Sequence, residues 1–374
     1  MKHENNINKN IFNYLAIVFF IVFTVFAQDG SVGNDTTPNA TIFELLSSNT
    51  GTYNSSRFIS LLNSDSGYQP IIQLLSEPAS NLTAFIPNDA VLNKVFTAFR
   101  EYNQNQGTNT TSEYPPANWT YHNMSVLNLL QYHVVNESFL LTNLTTSNVS
   151  VVHSLLNDST VNHFVNSSLP ILIQANTTYE NATNQTWLDI NAKYLKFNVG
   201  NGVNSSTVVL KDLNATNGHF NIINSVLIPP LEPSIVIPYV RNASYLTRLL
   251  RNYPFLNTTL NNGTNFTVFA PINRAVDRLD TNRLDNGTFD QLLYSHIVYG
   301  VYFSTNFTQN ATNNIGQFNL TTYNNNGTLP VSVNGSLIQL NGTAKVVRSN
   351  IFFNNGVMHL IDRVLNVTSN STDQ

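Results

Sequence analysis

Two histidines stand at matched places in two similar blocks. His133 lies in LLQYHVV (Leu129–Val135) and His296 in LLYSHIV (Leu292–Val298). A third, His359, sits three positions before Asp362 in NGVMHLIDRVLNV (Asn355–Val367). An imidazole titrates near neutrality and is the commonest general base, and a nearby Asp can orient the ring or hold a cation. The same residue types have a second use. A partly buried His satisfies a backbone carbonyl and fixes a helix end, and an Asp at a strand end accepts backbone N–H groups or pairs with a cation, here Arg348 or Arg363. Nothing else completes a catalytic set. The chain has no G-x-S-x-G, H-E-x-x-H, Walker or EF-hand pattern, and its eight His and 21 acidic residues show no metal-ligand spacing. Cysteine is absent, which removes thiol nucleophiles, thiolate metal sites and disulfides. The sequence implies no catalysis, no metal and no cofactor. A glycan-active enzyme or small-ligand carrier is the competing class, and an enzyme of that kind would need carboxylates converging in a cleft.

The 374 residues suffice for two or three domains, and 42% of them are apolar, with 23 Phe and 16 Tyr to build cores. Only 10% are charged, against about 25% in an ordinary globular chain. A net charge of −4 with no basic run offers nothing to hold nucleic acid or anionic lipid.

The elements that would position these histidines occur twice. NLTAFIPNDAVL (Asn81–Leu92) and NFTVFAPINRAV (Asn265–Val276) share T-x-F-x-P, at Thr83/Thr267, Phe85/Phe269 and Pro87/Pro271. The histidine blocks follow, and then NGHFNIINSVLIPP (Asn217–Pro230) and NGVMHLIDRVLNV. Three matched blocks in one order mean that one module is used twice. Each copy reads helices first, then strands. Thr41 and Glu44 fit a capping box, Tyr245, Leu246, Leu249 and Leu250 have helical spacing, and T-x-F-x-P alternates as a strand ended by proline. LPVSV, SLIQL and AKVVR, separated by Asn334-Gly335 and Asn341-Gly342, read as hairpins with type I′ turns. Both faces of VMHLIDRVL are largely apolar, as in a strand covered on both sides. Copy one is longer, with polar insertions expected near 102–122 and 157–184 as surface loops. The expected division is a signal segment at 1–27, a first module at 38–230, a second at 233–367 and a polar tail at 368–374. IPPLEPS (Ile228–Ser234) would be the stiff linker.

The N-terminus carries Lys2 and Lys9, an apolar run at Leu15–Phe26 and small residues before Gln28, so cleavage after Ala27 is expected. An uncleaved signal anchor is the alternative. The polar C-terminus does not resemble a glycolipid-attachment signal. Roughly thirty N-x-[ST] sequons follow. Candidate acceptors are Asn54, Asn81, Asn109, Asn118, Asn136, Asn143, Asn157, Asn176, Asn204, Asn242, Asn286, Asn306, Asn319, Asn326, Asn341 and Asn366. A secreted product is expected, with a membrane-tethered or secretory or vacuolar lumenal one as the alternative.

T-x-F-x-P, a Tyr-His block and N-G-x-x-H-x-I-D-x-V-L together resemble the signature of fasciclin-like (FAS1) domains, over nearly the whole mature chain and as two tandem modules. The resemblance implies an α+β fold, each module a twisted β-wedge or sandwich with packed helices. It also implies a non-catalytic role in cell adhesion, extracellular matrix or cell wall. The partners would be cell-surface or matrix proteins or glycans, with weak self-association and no membrane contact after cleavage. It credits receptor contact to residues around these motifs, so Tyr132, His133, His296, His359, Ile361 and Asp362 are the candidate adhesion residues. Copy one has Asn221 and Asn224 where copy two has His359 and Asp362, and Ser295 replaces the tyrosine of Tyr-His in copy two. Adhesion is therefore expected of copy two, through the Asp362 carboxylate.

Overall fold

The computed structural model describes residues 39–105, 112–121, 123–144, 149–179, 193–277, 286–313, 316–325 and 327–365. The signal segment, the polar tail and the sequons at Asn109, Asn326 and Asn366 lie outside them. No helix among the described residues is long and apolar enough to cross a membrane.

Thr41 caps α1 (Ile42–Ser48): its hydroxyl accepts the Glu44 N–H, and the Glu44 carboxylate accepts the Thr41 N–H at 2.8 Å. Then come α2 (Thr50–Tyr53), α3 (Ser56–Ser64) and α4 (Gln69–Ser76), which turn Phe58, Leu61, Leu62 and Leu75 inward at helical spacing. β1 (Leu82–Pro87) divides its side chains by strand alternation. Leu82, Ala84 and Ile86 join this helical core, and Phe85 enters a second core on the other face of the sheet. Next are α5 (Asp89–Asn105), the small ribbon β2 (Thr120–Tyr121) and β3 (Met124–Ser125), α6 (Val126–Tyr132) and β4 (Val134–Val135). Then β5 (Val149–His153), β6 (Pro170–Tyr179), β7 (Lys193–Gly200), β8 (Ser205–Ala215) and β9 (Gly218–Ile223) complete a seven-stranded sheet of order β4-β1-β9-β8-β7-β6-β5.

Module two repeats this plan with α7 (Pro233–Val236), α8 (Ser244–Asn252), α9 (Pro254–Asn262), β10 (Phe266–Pro271), α10 (Asn273–Val276), α11 (Asn286–Ser295), β11 (Ile297–Tyr299) and α12 (Ser304–Asn313). β12 (Gln317–Thr321), β13 (Thr328–Asn334), β14 (Leu337–Leu340), β15 (Ala344–Phe352) and β16 (Gly356–Ile361) follow, in the order β11-β10-β16-β15-β14-β13-β12. In each module the last strand runs parallel to the T-x-F-x-P strand, with Leu82 opposite Gly218 and Phe266 opposite Gly356. The two sheets agree down to the paired register breaks in β8 and β15. The Gly of each Asn-Gly is needed there: a Cβ on Gly218 would meet the Leu82 carbonyl oxygen at 2.0 Å, and one on Gly356 the Phe266 oxygen at 2.5 Å. The α+β, two-module architecture is the one the resemblance implies.

Three details differ from the sequence reading. The first hairpin turn is Gly335-Ser336, because Asn334 already pairs with Leu337 and only Gly335 has positive φ. At Asn341-Gly342 both φ angles are positive, as expected.

The segment near 102–122 is only partly a surface loop. Ala117 is buried in the helical core, Tyr114 packs edge-on against Phe96 and Trp119 against Phe99, and Pro115 accepts the Tyr68 hydroxyl at 2.7 Å. Isolated apolar residues carry no periodicity, so their plugging role was invisible in sequence.

The segment beginning at 157 docks on module two. The His163 N–H reaches the Asn354 carbonyl at 2.8 Å, the Val165 N–H reaches Asn265 Oδ1 at 3.1 Å, and the Asn354 amide donates to the Val161 carbonyl. Leu172 of module one shares an apolar cluster with Phe303, Phe352 and Val357 of module two. The linker is fastened as well: Asn201 donates to the Ile228 carbonyl, and the Asn354 N–H to that of Leu231.

Candidate functional site

The repeated threonine does structural work first. Thr83, fully buried, donates to the Glu137 carbonyl and accepts the Phe139 N–H, and Thr267 does the same with Gly300 and Tyr302. T-x-F-x-P thus positions the loop after β4 or β11 and places one Phe in the second core.

His133 and His296 occupy equivalent sites at the ends of α6 and α11. In each ring Nδ1 bonds the carbonyl four residues back, Leu129 or Leu292, at 2.7 Å. In each, Nε2 lies 2.9 Å from the N–H of a residue beyond the last strand, Leu227 or Leu365, and must accept. Nδ1 therefore carries the proton and donates. Both rings are neutral bolts that join a helix end to the closing segment, and burial pushes each pKa down to about 4. A protonated ring would lose the Nε2 acceptor.

His359 is a third neutral bolt. It is fully buried, stacked on Phe269 and edge-on to Phe307. Nδ1 accepts the Asn350 N–H, so Nε2–H donates to the Tyr302 carbonyl at 2.8 Å. Desolvation lowers its pKa to about 4. In module one Asn221 takes this place. Its Oδ1 accepts the Asp212 N–H, but its shorter amide leaves Nδ2 buried without a partner.

Asp212 and Asn350 are themselves equivalent, both at positive φ on the bulge. Each side chain accepts N–H groups opening the helical turn that follows β4 or β11, at Leu141 and Thr142 or at Ser304. The sequence reading passed over both; an Asp or Asn preceding the Asn-Gly block by a few residues was the available signal.

Of the six candidate adhesion residues, five are inaccessible. Tyr132, His133, His296, His359 and Ile361 are buried, and the Tyr132 hydroxyl donates to the Pro170 carbonyl at 2.7 Å. A partner reaches none of them in the folded modules, because the motif they belong to is the seam between sheet and helices. Asp362 is half-buried. Its Oδ1 accepts the Lys345 N–H at 2.7 Å and its own N–H donates to the Lys345 carbonyl. Asn224 makes the same pair of bonds with Thr207. Neither expected arginine pairs with Asp362 among the described residues: the ion pair found there is Arg57–Glu113, and Arg348 donates to the Gly202 carbonyl. No group of three or more His, Asp or Glu that could hold a metal occurs among the described residues.

The Asn of each Asn-Gly block is a second feature the sequence reading quoted without assigning. Asn217 accepts the Ile42 N–H and donates to the Leu75 and Glu77 carbonyls. Asn355 donates to Leu260, Asn261 and Gly263, while its Oδ1 is buried and unpartnered. The cause is Pro233. It stands where Ile42 does, since Thr216 bonds Ala40 as Asn354 bonds Leu231, and proline has no N–H to give.

Comparison with known proteins places the chain. The Fasciclin domain profile matches residues 54–229 and again 241–367. Transforming growth factor-beta-induced protein ig-h3 from Oryctolagus cuniculus is 26% identical over 183 residues, 47% of this chain and 26% of that protein. The match thus spans about a quarter of that relative's length. A solved FAS1 domain pair from the insect cell adhesion molecule fasciclin I covers 84% of this chain and 98% of its own, at 15% identity and a TM-score of 0.37. With both modules matched, the chain belongs to the fasciclin domain family, as two tandem copies.

Proposed function

We propose that this chain is a secreted, heavily N-glycosylated, non-catalytic glycoprotein that acts in cell adhesion or in matrix or cell-wall interaction. Family membership supports the adhesive role. The observation that supports a non-catalytic one is the state of the three motif histidines, each neutral, buried and hydrogen-bonded at both nitrogens. None is free to move a proton.

Sequon placement supports glycosylation. Asn54, Asn81, Asn118, Asn136, Asn143, Asn157, Asn176, Asn242 and Asn319 are exposed, and Asn204, Asn306 and Asn341 are half-buried. Asn54 and Asn242 are equivalent, both at positive φ just before α3 or α8. Glycans would hydrate a surface that few charges cover. Endoglycosidase treatment of secreted protein is expected to sharpen and lower a band that runs well above 41.7 kDa. Unchanged mobility removes the glycoprotein reading. Attachment of cells or matrix fractions to the immobilised, glycosylated chain tests adhesion itself.

Asp362 is the one of the six candidate adhesion residues that is not buried, which makes it the one to test. An asparagine there keeps an oxygen for the Lys345 N–H, as Asn224 shows in module one. Asp362→Asn is therefore expected to leave the melting temperature unchanged and, where the charge is used directly, to weaken binding by about 1–3 kcal/mol. Binding that holds in this variant takes Asp362 out of the contact.

A further inference from the structure

Asn265 opens the second T-x-F-x-P block and heads a sequon, Asn265-Phe266-Thr267, as Asn81 does in the first block. The two are equivalent in the fold, each standing immediately before its strand, β10 or β1. Their surroundings differ. Asn81 is exposed, and its side chain makes no hydrogen bond among the described residues. Asn265 is half-buried where the modules meet, and its amide faces one residue of module one. Oδ1 accepts the Val165 N–H at 3.1 Å, and Nδ2 donates to the Val165 carbonyl at 3.5 Å.

Both sides of this contact are fixed. Asn265 sits at positive φ, which Asn tolerates, and its own carbonyl accepts the Gly300 N–H at 2.8 Å. Opposite it, the loop carrying Val165 is closed from within by the buried Asn162. Its Nδ2 donates to the Ser167 carbonyl at 2.7 Å and its Oδ1 accepts the Phe164 N–H at 3.1 Å, one on each side of Val165. The same loop is tied to Asn354 of module two through Val161 and His163.

N-glycosylation would replace one Nδ2 hydrogen of Asn265 by the anomeric carbon of the first sugar. The side-chain amide is planar, and a secondary amide prefers its trans form, which puts the substituent on the same side as the oxygen. That is the hydrogen that reaches the Val165 carbonyl, because Oδ1 and Nδ2 together address the N–H and carbonyl of a single residue. A sugar there takes the place of the loop. The sequence adds a reason for the site to escape transfer. Asn262, exposed, heads its own sequon three residues upstream, within about 10 Å in an extended chain, and a glycan placed there first crowds Asn265. Asn81 has no such neighbour, since the flanking sequons begin at Asn54 and Asn109. We propose that Asn265 is a sequon kept bare in the folded protein, its amide latching the 161–167 loop of module one to module two. The contrast with Asn81 rests on the glycoprotein reading; the latch does not.

The test uses the full-length secreted chain. Enzymatic deglycosylation converts a glycan-bearing Asn to Asp, and peptide mapping is expected to show conversion at Asn81 and none at Asn265. Hydrogen exchange on the same protein reads the latch. Asn265→Gly removes the amide without straining the positive φ, and is expected to speed exchange of the Val165 N–H about tenfold while the circular dichroism of the chain is unchanged. Asn81→Gly should leave exchange in the loop as it was. Conversion at both asparagines keeps the glycoprotein reading and overturns the bare latch. Exchange at Val165 that Asn265→Gly does not alter overturns it as well. Conversion at neither asparagine, nor at any other acceptor, removes the glycoprotein reading, and the exchange result then decides the latch by itself.

Discussion

Acidification from pH 7 to pH 5 is expected to destabilise this protein, and module two more than module one. The cause is the set of buried neutral histidines, His133 in module one and His296 and His359 in module two. Burial holds the pKa of each at about 4 against an ordinary value of 6.5. Above pH 6.5 both native and unfolded rings are neutral and nothing is lost. Between 6.5 and 4 the unfolded chain binds protons that the native rings refuse, so stability falls as pH falls, and the loss levels off below about 4. At pH 5 this is on the order of 2 kcal/mol for each of these three histidines, and His219 of module one, whose pKa desolvation also lowers, acts with the same sign and narrows the difference between the modules. Against a total of about 5–15 kcal/mol for a typical domain, that is a large fraction. Three carboxylates act lower on the pH axis: backbone N–H groups hold Glu44, Asp65 and Asp158 below their ordinary range, so their contribution is lost only as pH falls through that lower range. Calorimetry at pH 7, 6 and 5 checks the expectation, with His359→Asn, the residue module one already uses, flattening the response of module two. Melting that is flat over this range would show that the rings are not buried neutral.

Asn217→Ala is expected to cost on the order of 3–5 kcal/mol, because it strands two buried backbone groups and one partly buried one at once, each buried group worth about 1–3 kcal/mol when unsatisfied. The amide ties the N-terminal end of α1, through the Ile42 N–H, to the end of α4, through the Leu75 and Glu77 carbonyls, and it stands at the start of β9. The Asn217 side chain is fully buried, so water cannot enter cheaply. Asn355→Ala in module two should cost somewhat less, since its Oδ1 already lacks a partner opposite Pro233. Denaturant unfolding of both variants tests the order. Equal and small losses would mean that these amides are not the clamps between helix layer and sheet.

Much of the fold was legible because its signals are local. Thr41 and Glu44 announce a capping box within one turn, T-x-F-x-P alternates within one strand, and matched blocks in one order reveal the duplication. What the histidines do was not legible. His133 and His296 meet their second partners 94 and 69 residues away, at Leu227 and Leu365, and no spacing rule reports such distances. The same holds for Tyr132, whose hydroxyl bonds Pro170.

The sequence by itself therefore determined the class of the protein: two copies of one α+β module, without cysteine, with many glycan acceptors and with no catalytic pattern. Only the tertiary structure decided which motif residues a partner can touch. A residue repeated in two modules is repeated equally well for packing as for binding, and burial, which separates the two, is set by contacts between segments far apart in the chain. It was likewise the tertiary structure that turned the segment beginning at 157 into a dock for module two.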